Sequence, residues 1–293
     1  MNGRALLGIL CMTALSCAHS TNVPVAAPPS ATPTENEYYG QETLQGVIWM
    51  QSSVEYRAAA QQVYVNAKRA LDMALADPAW QAVSESTTAP ATSLRPAVIL
   101  DIDETCIDNS VYEAELLEAR QLHQEERWEA FVRSGKVSAV PGARDFLQYA
   151  TSRGVRVFYV TNQDVKLEAA TRDNLRRLGF PFDENLDTLL TVAERPDWTS
   201  DKSTRRLFVA AEHRVLLLLG DDFNDFVSAN GKSPEARQEI FERFGDWFGT
   251  KWFILPNPVY GSWERALTAG SGKGAQEKFD AKMKALRKTA AAE

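Results

Sequence analysis

A chain of 293 residues with 44% hydrophobic and 10% aromatic content is long enough for one full core and an attached subdomain, which argues against a disordered protein. Its formal net charge of -7, with no run of Lys and Arg, argues against a nucleic-acid binder held by phosphate contacts. An acidic balance does not exclude a phosphorylated small molecule, because a cation in one pocket reverses the local potential.

The first residues, "MNGRALLGILCMTALSC", carry a basic residue at Arg4, an apolar run from Ala5 to Leu15 and small residues before Cys17. This is the pattern of a signal peptide, and the run falls short of the roughly 20 residues of a spanning helix. Ala14-Leu15-Ser16-Cys17 resembles a bacterial lipobox, with Ala14 where Leu is commoner. It predicts a leader over residues 1–16 and a lipidated Cys17, hence a membrane anchor; ordinary cleavage near Ala18 is the alternative. Loss of the leader removes Cys11, and acylation of Cys17 leaves Cys106 without an intramolecular partner, so no disulfide framework is expected. Residues 17–40, rich in Ala, Pro, Ser and Thr, read as a disordered tether. Ala18 in place of Asp after Cys17 is similar to sorting patterns for the outer membrane of the bacterial cell envelope.

An N-terminal helical segment follows over 41–92. Its helical spacing from Leu44 to Leu75 predicts one long helix or two broken near Ser52-Ser53, with Leu44, Val47, Val54, Ala58, Val65 and Leu71 on one stripe. From 95 to 268 short apolar runs alternate with amphipathic stretches. "AVILDI", "VRVFYVT", "DTLLTV", "RVLLLLG" and "KWFIL" read as strands; "GARDFLQYATSRG", "VKLEAATRDNLRRLG", "DKSTRRLFVAAEH" and "PEARQEIFERFGDWFG" read as helices. Uniformly apolar strands between helices imply an α/β fold, a doubly wound parallel sheet covered on both faces. The segment at about 111–136 is expected as a small α-helical subdomain inserted after the first strand. "AGSGKGA" (Ala269 to Ala275) lacks the spacing of a phosphate loop and reads as a linker before a C-terminal helix, 274–293, with a solvated charged face.

The unusual polar residues fall at the carboxyl ends of the strands, where open α/β sheets bind ligands. Asp101 and Asp103 end the first strand, Thr161 ends the second, and Asp221, Asp222 and Asp225 follow "VLLLLG". Residues i and i+2 of an extended segment share a side, so Asp101 and Asp103 are expected to face one pocket. Converging carboxylates repel unless a cation joins them, and hard oxygen donors at this density suit Mg²⁺ shared with a phosphate. Lys202 offers a point positive charge to the same phosphate. His123 and His213 have no second His or Cys at ligand spacing, so zinc is not expected.

"DIDET" (Asp101 to Thr105), Thr161 after "VFYV", Lys202 and "GDDFND" (Gly220 to Asp225) resemble the four motifs of haloacid dehalogenase (HAD) superfamily phosphohydrolases. "ILDIDETCIDNSVY", "AVPGA", "VFYVTN", "RLGF", "GDDFNDF" and "ILPNPVYGSWE" are similar, more narrowly, to the class C acid phosphatases, the lipoprotein e(P4)-like 5′-nucleotidases. The resemblance runs from about Leu44 to Leu267. It implies a HAD-like, Rossmannoid fold and a Mg²⁺-dependent acid phosphatase acting on phosphomonoesters, nucleoside 5′-monophosphates among them. Asp101 is then the nucleophile that becomes an aspartyl phosphate, and Asp103 the general acid and base. Thr161, Asn162 and Lys202 bind the phosphoryl group. Asp101, the Asp103 carbonyl and Asp221 ligate Mg²⁺, with Asp225 acting through water or by orienting Lys202. Tyr260, Trp128 and Tyr112 are the candidates to stack on a base, the first two because family members hold it between aromatic residues from these regions.

Asp222-Phe223 departs from the family, which carries Asn or Thr followed by Leu, and Cys106 stands where an apolar residue is usual and is expected as a buried, inert thiol. A phosphotransferase of the same fold and a surface-binding lipoprotein with a vestigial site are the alternatives. No nucleic-acid partner is expected, and the sequence leaves open whether the chain is a monomer or a homodimer.

Overall fold

The computed structural model describes residues 40–85, 94–183, 185–271 and 274–286. The leader, Cys17 and the tether up to residue 39 lie outside them, as do residues 86–93 and 287–293. Among the described residues no helix is long and apolar enough to cross a membrane.

The N-terminal helical segment is two helices, α1 (Leu44–Ser52) and α2 (Val54–Ala76). Ser53 takes extended angles between them, and its Oγ accepts the Tyr56 amide at 3.0 Å. A side-chain N-cap of this kind starts one helix where another ends. The buried stripe of α2 is Tyr56, Ala60, Tyr64, Ala67, Leu71 and Ala74, at spacings of four and three. This corrects the expected stripe: Val54 is 71% exposed, Leu44 and Val65 also face outward, and so does Ala58. The face that packs into the core is instead lined mainly by alanines and tyrosines, with Leu71 the residue common to both stripes.

Strand β1 (Arg95–Leu100) lies at the centre of a five-stranded parallel sheet. A two-stranded antiparallel stem, β2 (Ile107–Asp108) and β3 (Ser138–Ala139), pairs Ile107 with Ala139. Between the stem strands run α3 (Ser110–Ala119) and α4 (Glu125–Ser134), which form the cap. The chain continues through α5 (Ala143–Ser152), β4 (Arg156–Asp164), α6 (Glu168–Arg177) and β5 (Leu189–Val192). It returns through α7 (Ser203–Glu212), β6 (His213–Gly220), α8 (Pro234–Phe244) and β7 (Trp252–Ile254), and ends in α9 (Ser262–Thr268) and α10 (Ala275–Ala285).

The strand order β5-β4-β1-β6-β7 winds outward from β1 to one edge and then resumes on its other side. That reversal opens a crevice at the carboxyl ends of β1, β4 and β6. Alternate residues of the strands go to opposite cores. Val98, Leu100, Val157 and Tyr159 pack with Leu71 of α2 and Phe146 of α5, whereas Ala97, Ile99, Phe158 and Val160 pack with Val209 and Ala210 of α7. A sheet buried on both faces has no polar side, which is why "VLLLLG" shows no alternation.

Candidate active site

The loop after β1 turns twice within six residues. The Asp101 amide donates to the Leu219 carbonyl at 3.0 Å, which keeps Asp101 level with the end of β6. Three residues on, Glu104 adopts a left-handed φ of 54°, and the Ile102 carbonyl accepts the amides of Cys106 and Ile107 at 2.8 and 2.9 Å. Glu104 is buried and its carboxylate accepts the Asn109 amide at 2.9 Å. Burial, followed by Asp103, pushes its carboxyl well above the usual range; through the Asn109 amide it braces the loop. Asp108 accepts the Ser110 amide at 2.8 Å at the start of α3. Cys106 is fully buried, and its Sγ donates to the Asp101 carbonyl at 3.2 Å.

Asp101 and Asp103 both line one cleft of about 920 Å³, but their neighbours differ. Asp101 Oδ1 lies 2.5 Å from Lys202 Nζ. Asp103 instead accepts from Gln163 Nε2 at 2.8 and 3.0 Å and from Asn109 Nδ2 at 2.9 Å. Burial raises both carboxyls; Lys202 opposes the rise at Asp101, and the Gln163 and Asn109 hydrogen bonds oppose it at Asp103. One carboxyl therefore faces a cation and the other neutral amides, an environment that separates two roles.

Lys202 immediately precedes α7 and is buried. Its Nζ reaches Asp225 Oδ1 at 2.6 Å as well as Asp101. Burial alone would lower its pKa, but Asp101 and Asp225 hold it above the ordinary value, so it stays charged. Asp225 also accepts the Asp222 amide at 2.9 Å, and burial pushes its carboxyl up to about 7 against the pull of Lys202. Asp221 accepts from Thr105 Oγ1 at 3.2 Å and from Asn257 Nδ2 at 2.9 Å. Both donors are neutral, and burial beside Asp101 and Asp225 raises its carboxyl well above the usual range.

One oxygen from each of Asp101, Asp221 and Asp225 lies within 4.8 Å of the others. Hard oxygens converging on a site that holds one ammonium group for three carboxylates fit a divalent cation. The Asp103 side chain does not join this group; it turns toward Gln163 and Asn109. Asp222, left open by the sequence, is a structural cap: its carboxylate accepts from Ser262 Oγ at 2.5 Å and from the Asn224 amide at 2.9 Å. It ties the start of α9 to the turn after β6.

Thr161 is fully buried beneath the cleft, its Oγ1 3.5 Å from Asp103 Oδ2. Asn162 lines the cleft, with one amide hydrogen given to the Ser200 carbonyl at 3.1 Å and its oxygen held by Arg205 at 2.7 Å. Trp128 and Tyr260 line the wall of the cleft. Tyr112 does not: it is 2% exposed, edge-on to Trp128 at 5.1 Å and hydrogen-bonded to His123 Nδ1 at 3.0 Å. The stacking expected of Tyr112 is corrected accordingly, because the ring supports Trp128 from behind and has no face open to a ligand.

Gln163, Asn109 and Asn257 were not singled out from the sequence. Gln163 was within reach, since i+2 from Thr161 on an extended strand shares its face. Asn109 and Asn257 depend on loop paths that no periodicity reports.

The sequence model of the family described as HAD superfamily, subfamily IIIB (Acid phosphatase), matches residues 9–263. The structure is similar to that of the class C acid phosphatase from Bacillus anthracis, with 30% sequence identity and a TM-score of 0.75, covering 86% of this chain and 99% of that one. A second structure of a class C acid phosphatase from Bacillus anthracis, with tungstate bound, matches with 29% identity and a TM-score of 0.72 over 86% of this chain and 99% of that one. The parallel sheet, the cap on its antiparallel stem and the acidic cleft are those of an enzyme that hydrolyses phosphomonoesters, and the chain belongs to HAD superfamily subfamily IIIB, the acid phosphatases.

Proposed function

We propose that the protein is a Mg²⁺-dependent phosphatase that works through an aspartyl phosphate on Asp101 and accepts nucleoside 5′-monophosphates. The observation that carries this is the division of the two carboxylates in one cleft: Asp101 on Lys202 at 2.5 Å, Asp103 on Gln163 and Asn109. A carboxylate oxygen of Asp101 bonds to phosphorus while the bond from phosphorus to the substrate's ester oxygen breaks, and protonated Asp103 gives its proton to that leaving oxygen. Asp103, now ionised, takes a proton from water as the water oxygen attacks phosphorus. The P–O bond to Asp101 breaks, and inorganic phosphate leaves.

Lys202 and the polar end of β4 at Thr161 and Asn162 hold the phosphoryl oxygens. Asp101, the Asp103 carbonyl and Asp221 hold the cation, with Asp225 supporting Lys202. When bound, Mg²⁺ supplies positive charge to the phosphoryl oxygens. The tungstate bound by the similar Bacillus anthracis protein is an oxyanion of phosphate-like shape, which supports an oxyanion site in this fold. Trp128 and Tyr260 line the wall where a planar leaving group would lie, and stacking there tolerates any base.

The test is phosphate release from a 5′-nucleotide by the purified protein. Activity requires Mg²⁺, is lost in EDTA, and falls about a thousandfold or more in Asp101→Asn. Normal turnover by that variant would sink the nucleophile assignment. Tyr260→Ala raises KM for the nucleotide more than for a small phosphomonoester without a base; equal effects would remove the stacking role. The leader pattern supports a lipid anchor at Cys17 in the cell envelope, checked by mass spectrometry of the mature N-terminus, where an unmodified Ala18 would overturn it.

A further inference from the structure

Arg206 stands one turn after Lys202 on α7 and is fully buried. Its Nη1 donates to the backbone carbonyls of Asn224 at 3.0 Å and Asp225 at 3.2 Å. Its Nε donates to Glu85 Oε1 at 3.0 Å, and its Nη2 forms an ion pair with the same oxygen. A buried guanidinium is costly unless its donors are met. Here they are met by the turn that follows Asp221 and by a glutamate 121 residues away in sequence.

The start of α7 thus grips Asp225 twice, through its carboxylate with Lys202, the residue before the helix, and through its carbonyl with Arg206. Asp225 passes this constraint on by accepting the amide of Asp222, the neighbour of Asp221. We propose that Arg206 is a positioning residue that presets the Asp221–Asp225 turn for the divalent cation, with Glu85 fixing the plane of the guanidinium. The proposal rests on the metal assignment made above. It requires arginine, because three nitrogens spread over one planar fork reach Glu85 and two backbone carbonyls at once, whereas a lysine offers a single nitrogen.

The experiment is calorimetric titration of Mg²⁺ into the wild type, Arg206→Lys and Glu85→Gln, each shown to be folded by near-ultraviolet circular dichroism. Arg206→Lys is expected to weaken the Mg²⁺ Kd about 10- to 100-fold, as loss of a group that orients metal ligands does. Glu85→Gln shifts it in the same direction by a smaller factor. Most of the wild-type kcat returns at saturating Mg²⁺, which a damaged fold would not allow. Wild-type Mg²⁺ affinity in both variants overturns the proposal while leaving the proposed function intact, even if their Tm falls. If Arg206→Lys does not fold, an unchanged Kd in Glu85→Gln overturns it alone. A wild type that binds no Mg²⁺ removes the metal assignment and this proposal with it.

Discussion

The side-chain amide of Gln163 lies 2.8 and 3.0 Å from the two carboxylate oxygens of Asp103. Thr171 donates to the oxygen at the other end of that amide, which fixes the nitrogen toward Asp103. Gln163→Leu keeps the volume and removes the donor. The expected result is a kcat about tenfold lower with KM changed less than about twofold, since orientation of a proton donor acts on the transition state. Steady-state kinetics decide this, and an unchanged kcat would mean that Asn109 alone orients Asp103.

Gly220, the last residue of β6, has the carboxylate of Asp225 packed against its α-carbon, so that a β-carbon there would overlap the Asp225 side chain. Gly220→Ala must displace Asp225 from Lys202. A loss of about 1–3 kcal/mol is expected from overpacking, together with loss of activity. Thermal unfolding with a turnover assay checks both, and a variant with wild-type Tm would show that the turn yields freely.

Lys202→Met removes the cation that Asp101 and Asp225 share. Breaking a buried pair leaves charge uncompensated, at a cost of about 3–5 kcal/mol near neutral pH in EDTA. The loss is smaller at pH 5, because the Asp225 carboxyl, which burial pushes up to about 7, is protonated there. Mg²⁺ is expected to raise the Tm of this variant more than that of the wild type. Equal Tm values in EDTA would count against the buried ion pair.

Glu113 on α3 lines the cleft, and burial, followed by Glu264, pushes its carboxyl from 4.5 up to about 7. The folded state thus holds this proton more tightly than the unfolded chain. Its contribution is present below about pH 4.5 and declines as pH rises toward 7. Glu113→Gln, a fixed neutral mimic, is expected to be more stable than the wild type at pH 8, by up to about 3 kcal/mol, and about equal to it at pH 4. Melting at the two pH values tests the sign; a variant less stable at pH 8 would reverse it.

Much of the architecture was legible because burial on both faces leaves a plain signature. "AVILDI" and "RVLLLLG" became β1 and β6 at the sheet centre, and carboxylates after such strands fall in the crevice whatever the loops do. The face of α2 was not legible in the same way, since Ala60, Ala67 and Ala74 carry little hydrophobic weight although they are fully buried in the core. Asp222 was ambiguous for a different reason. A carboxylate after Asp221 suits a metal or a cap equally, and only the fold brings Ser262, 40 residues on, within 2.5 Å of it. Tyr112 illustrates a third limit: an aromatic beside a cleft looks the same in sequence whether it faces the ligand or backs the residue that does.

Lys282 of α10 forms ion pairs with both Glu42, just before α1, and Glu264 of α9, and all three residues line the cleft. The segment just before α1 and the helix α10 therefore meet at the cleft, clasped by one ammonium group. Two segments 240 residues apart in sequence thus share one fastening at the cleft, whereas the motif residues hold its floor. A deletion that takes Lys282 unfastens a wall of the cleft, although it lies far in sequence from every motif.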